Sequence, residues 1–189
     1  ECVKAGLPGC FIMGCQGGLR DATGAMSLER ENIWTDLGEK LYLDGFDGIT
    51  GYNYHRGKTT SADGTVSYLL PFDDLAHDHE VVWEGHAKFG KLPYMPCLSG
   101  GWDNRPNEKT EKPEAYSCYS PDITPISLYN HIMRCGEFQK KYAGKTLSDL
   151  AIIYAWNENG EGGFICPTKG FHNDGLLMAC ARAVRELNE

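Results

Sequence analysis

LAIIYAWNENGEGG, residues 150–163, joins a short apolar run to a loop rich in Gly and Glu. The first seven residues are apolar or aromatic and too few for an ordinary helix, so they predict a buried strand. The next seven carry three Gly and two Glu and predict a loop at that strand's C-terminal end. The pattern recurs upstream. Residues 10–15 (CFIMGC), 46–52 (FDGITGY) and 92–98 (LPYMPCL) predict three earlier strands. A helix follows each one. The first starts after Ser27 as N-cap, with Ile33, Leu37 and Leu41 on one face. The second runs from about Asp73 to Phe89, beyond a polar loop at 55–67. The third opens at Thr124-Pro125 and stops at Ala143-Gly144. The last carries Leu176, Leu177, Cys180, Ala183, Val184 and Leu187 at helical spacing.

Four strand-then-helix units predict a parallel α/β sheet with right-handed crossovers. Two architectures fit, a doubly wound open sheet and part of a (β/α)₈ barrel. Neither a GxGxxG nor a P-loop opens the first unit, which removes support for nucleotide binding. Polar and aromatic residues gather after each strand: Gln16; Tyr52, Asn53, Tyr54 and His55; Trp102, Asp103, Asn104 and Arg105; Asn157, Glu158, Asn159 and Glu161. Barrel enzymes build their sites on that side, from loops after several strands. The expectation is a single catalytic-domain fragment over residues 1–189, covering about the C-terminal four βα units of a TIM barrel. Residues 1–6 read like the last turn of a helix running into Gly6. Four units would leave two open sheet edges, so self-association or pairing with a missing N-terminal half is expected.

The chemistry concentrates in Glu158 and Glu161. Glycosidic bond cleavage uses one acid to protonate the leaving oxygen and a second carboxylate as nucleophile or base. Two carboxylates in unlike environments divide those roles between them. A pair of Glu three apart is, by itself, a weak signal, and solvated loop acids give the same spacing. Its place after a buried strand, beside Trp156, favours catalysis.

Residues 155–163 (AWNENGEGG) are similar to the WNEW-x-EG signature of glycoside hydrolase family 99 and the related WbsX-type proteins. Residues 96–105 (PCLSGGWDNR) resemble the GWDNT-x-R segment of the WbsX-type members, and residues 45–52 (GFDGITGY) the FDG-x-YTY strand of family 99. Three matches in chain order span most of the sequence. The resemblance implies a (β/α)₈ barrel and a retaining glycoside hydrolase of endo-α-mannosidase type. Glu158 would deprotonate the sugar 2-hydroxyl that attacks its own anomeric carbon, and Glu161 would protonate the leaving group. The family's aromatic after the first Glu is Asn159 here, which takes the contacts of that ring, and with them mannose specificity, out of the expectation. The resemblance also leans towards a place outside the cytoplasm.

Around the two acids, Tyr52, Tyr54, Trp102 and Trp156 are candidates for stacking on sugar faces. Gln16, Asp103, Asn104 and Arg105 are candidates for sugar hydroxyls, and Asn157 for positioning Glu158. Each has a structural alternative: core packing for Tyr54, a loop-fixing ion pair for Asp103 and Arg105, a loop cap for His55. Asp73 and His77 have a helical metal-ligand spacing, but acids at a helix start answer to the positive end of the dipole, so no metal and no cofactor are expected. Eight Cys without a CxxC pair read mostly as small buried hydrophobes. A net charge of −8 over 189 residues speaks against nucleic acid, and no apolar run reaches the ~20 residues of a membrane span. The expected partner is a glycan. The competing readings are a catalytically inactive carbohydrate-binding barrel homologue and a glycosyltransferase of polysaccharide biosynthesis. The second lacks a phosphate cradle.

Overall fold

The computed structural model describes residues 1–61, 63–107, 118–147 and 149–189. The chain order is β1 (Met13–Cys15), α1 (Glu31–Leu43), β2 (Gly48–Thr50), β3 (Thr59–Thr60), β4 (Val66–Ser67), α2 (Phe72–Phe89), β5 (Cys97–Ser99), α3 (Pro125–Lys141), β6 (Ile152–Tyr154), β7 (Asn157–Glu158), β8 (Gly163–Phe164) and α4 (Gly175–Leu187). All four strand-then-helix units are present, with strands shorter than the apolar runs. Phe11 and Ile12 lie ahead of β1 and are more than half exposed. The expected helix end at the N-terminus is a 3-10 turn at Val3–Ala5 closed by Gly6 at φ 79°.

The parallel strands bond in chain order. β1 pairs with β2, and β5 with β6. Residues 93–95 join the two pairs: Ile49 donates its N–H to Pro93 O, and Met95 to Ile49 O, at 2.9 and 2.8 Å. Tyr94 bridges to Ile49 on one side and to Thr146 on the other. The chain from 93 to 99 is therefore one extended segment that meets β2 with its first half and β6 with its second. Among the described residues β1 and β6 are the outer strands. β3 and β4 form a separate antiparallel hairpin inside the stretch expected to be plain loop.

Local chemistry explains where the helices begin. Thr124 accepts from Ser127 N at 3.1 Å and Ser127 Oγ accepts from Thr124 N at 2.9 Å, a capping box ahead of Pro125. The α2 N-terminus takes its cap from a distance, with Phe72 N donating to Asp122 Oδ1 at 2.9 Å. Ser27 caps only a turn, accepting from Glu29 N at 3.2 Å, and α1 starts four residues later at Glu31 without a side-chain cap.

One apolar cluster runs from the helices to the strands. α2 supplies Leu75, Val82 and Trp83, all fully buried, and Trp83 Nε1 donates to Cys97 O in β5 at 2.9 Å. The buried face of α1 centres on Trp34 and Gly38, one position round from the expected Ile33, Leu37 and Leu41, which are only partly buried. Gly85 of α2 gives the Trp34 indole room: a Cβ there would sit 2.7 Å from the ring. No helix among the described residues is long and apolar enough to cross a membrane.

Candidate functional site

The strand β6 ends at Tyr154, and the chain turns through β7, a 3-10 turn at Asn159–Glu161, and β8. β7 and β8 pair antiparallel, Asn157 opposite Phe164 and Glu158 opposite Gly163. Glu158 and Glu161 thus sit at the first strand and the turn of one tight hairpin, each half-buried. Gly162, at φ 65°, makes the return possible, because a side chain there is strained and its Cβ would lie 2.7 Å from Asp103 N.

This hairpin is zipped to the loop after β5. Asp103 N donates to Glu161 O at 2.7 Å, and Asn107 Nδ2 to Gly160 O at 2.8 Å. Gly101, at φ 118°, lies so close to Gly162 that a Cβ would come within 2.7 Å of its carbonyl oxygen. Two loops that the sequence keeps about 60 residues apart therefore form one rigid lip at the C-terminal ends of β5 and β6, where parallel α/β sheets bind ligands.

Rings line the lip. Tyr154 is buried at the end of β6 and donates its hydroxyl to Glu161 Oε2. Burial first, and then that bond to a carboxylate, hold the Tyr154 phenol far above its ordinary pKa. Tyr52, at the end of β2 and 57% exposed, packs on Tyr154 with ring centres 4.5 Å apart. Trp102 lies 6.2 Å from Tyr154 on another side. Trp156, 54% exposed, lies two residues past the end of β6. Among the described residues Glu158 has no side-chain hydrogen bond, and neither Glu pairs with a basic side chain.

Several expected contacts fall elsewhere. Tyr54 is 2% exposed, with its hydroxyl 2.9 Å from that of Tyr94, so it is a core residue and out of reach of a ligand. Trp102 is 5% exposed and stacked face to face with His55 at 4.0 Å, which makes it a wall of the site rather than an open platform. Asp103 and Arg105 spend their charges on each other, through Nε to Oδ1 at 2.8 Å and a second guanidinium nitrogen to Oδ2 at 2.6 Å. The Arg105 hydrogen bond holds the Asp103 carboxyl below its usual pKa, and the guanidinium lies 3.8 Å over the Tyr119 ring. Asn104 Oδ1 accepts from Asn107 at 3.1 Å. Asn157 is exposed and its carbonyl accepts from Asn159. Gln16 follows β1, three strands away, and no hydrogen bond or ring contact among the described residues ties it to the hairpin; its N–H donates to Thr50 O at 2.8 Å. Sequence reasoning missed Tyr154, which reads as one more apolar strand residue, and Asn107, which lies beyond the motif.

A cavity of about 400 Å³ opens between α3, α4 and β6, lined by Leu98, Ile132, Cys135, Ile153 and Leu187. It lies on the helix side, away from both carboxylates. Asp73 and His77 stay in the first turns of α2, and no group of three or more metal-ligating side chains exists among the described residues. No family model matches the chain, and no curated protein or solved structure matches it.

Proposed function

We propose that this chain forms part of a barrel glycoside hydrolase of the kind it resembles, with Glu158 and Glu161 as the reacting carboxylates. The observation that carries the reading is their placement. Both stand half-buried on one tight hairpin at the C-terminal end of a parallel strand, Glu161 bonded to Tyr154, which packs on Tyr52, and an exposed Trp156 at the entry to the hairpin. Bonding of the strands in chain order also supports it, because a barrel adds strands in sequence, whereas a doubly wound sheet reverses direction. Unlike surroundings suit unlike roles. Glu158, whose side chain has no hydrogen-bond partner among the described residues, takes the proton from the sugar hydroxyl that attacks the anomeric carbon. Glu161, held by Tyr154, is aimed at the leaving oxygen. Exposed aromatic faces at Tyr52 and Trp156 receive the sugar rings.

The test is release of reducing ends from α-mannan, rhamnose-containing and other bacterial glycans. The wild-type chain is expected to cleave one of them, and folded Glu158→Gln and Glu161→Gln variants to lose at least about 100-fold in rate, the scale of a general acid–base contribution. Cleavage retained by both variants overturns the assignment. Binding without cleavage by the wild type favours the carbohydrate-binding reading.

A further inference from the structure

Cys2 and Cys10 stand apart from the carboxylate site and have no part in it. Their sulfurs are 3.1 Å apart, the one sulfur–sulfur hydrogen bond among the described residues. That is closer than carbon atoms in van der Waals contact, about 3.5–4.0 Å, although sulfur is the larger atom. The approach is built by the backbone. Leu7 N donates to Cys2 O at 3.0 Å, Gly6 N to Val3 O at 3.0 Å, and Gly6 and Gly9 both take positive φ, so the chain doubles back. The far end is tied down, with Ile12 N donating to Asp47 Oδ2 and Asp47 N to Ile12 O, each at 2.8 Å. Cys10 is exposed and Cys2 half-exposed, whereas Cys97, Cys118, Cys135 and Cys180 are buried. The hydrogen bond with Cys2 raises the Cys10 thiol pKa.

We propose that Cys2 and Cys10 form a dithiol modification site that low-molecular-weight disulfides, such as glutathione disulfide, oxidise to an intramolecular Cys2–Cys10 bond. One thiolate attacks the disulfide and releases one equivalent of thiol, leaving a mixed disulfide. The neighbouring thiol loses its proton, attacks the bound sulfur and releases the second equivalent. The chain loses two hydrogens, and the oxidant is reduced to two thiols. Proximity favours the second step over a lasting mixed disulfide. The new ring fastens the N-terminal turn to the lead-in of β1.

The test incubates the full chain with glutathione disulfide, blocks residual thiols and maps the peptides after trypsin without reductant. Cleavage after Lys4 and Arg20 leaves peptides 1–4 and 5–20, which are expected to stay joined. Because Cys15 shares the second peptide, Cys15→Ser should keep the link and Cys10→Ser should remove it. Reduction should separate the peptides. A link that follows Cys15, separate peptides carrying only glutathione, or unmodified Cys2 and Cys10 where Cys15 has taken up glutathione would overturn the proposal.

Discussion

Tyr154 shows how one side chain ties a strand to a site. Its ring ends β6 inside the apolar cluster, and its hydroxyl reaches the Glu161 carboxylate seven residues on. A hydrogen bond of this kind contributes about 0.5–1.5 kcal/mol. Tyr154→Phe keeps the ring and removes the donor, so glycan cleavage should fall by up to about 10-fold while the melting temperature moves little. A rate equal to wild type in steady-state assays would remove Tyr154 from the site. That Glu158 and Glu161 would stand in a turn just past β6 was legible, since Gly-rich chain after an apolar run predicts a loop there. The partners were less so. Tyr52 and Tyr54 are two apart and look alike in sequence, yet one is exposed on the Tyr154 ring and the other is sealed against Tyr94. Nor did the sequence tell whether Asp103 and Arg105 would reach outward or pair; the Tyr119 ring that lies under the paired guanidinium is 14 residues further on.

Elements were most legible where their determinants are local. Thr124 and Pro125 mark the start of α3, and the helix begins where that pair puts it, with Ser127 completing the cap. Thr124→Ala removes the side-chain acceptor for Ser127 N, which is one half of the capping box. It should lower stability by about 1 kcal/mol, read as a shift in the urea midpoint at unchanged slope. The α2 cap was illegible for the opposite reason: Asp122 lies 50 residues beyond Phe72 and meets it only after folding. Ser27 misled because a serine before a polar stretch caps a turn as readily as a helix. The short pairing of β3 with β4 carries little apolar alternation, so nothing in periodicity marks it out from loop.

For the whole molecule, the order of four units and their parallel pairing followed from period and length alone. Which imidazoles would be buried did not. His79, His86 and His131 are fully buried. Burial pulls His79 down to about 3, with the neighbouring His131 adding to it, and burial alone pulls His86 down to about 4. Neither ring nitrogen of His86 has a partner among the described residues. A folded pKa below the unfolded one means that the unfolded chain binds the proton better. The stability is complete above about pH 6.5 and is lost as pH falls towards 4, on the order of 3 kcal/mol for His86 alone. Unfolding free energy should therefore drop steeply between pH 7 and 4.5, and less steeply in His86→Phe; equal slopes would show that this imidazole is not buried neutral. The four tryptophans divide along the same line between interior and lip. Trp34 and Trp83 are sealed behind the sheet, Trp102 is walled in by His55, and Trp156 alone is more than half exposed, two residues ahead of Glu158. The protein thus carries its own optical probe: the red-shifted, quencher-accessible part of its fluorescence belongs to Trp156, the indole that a sugar would cover under the proposed function.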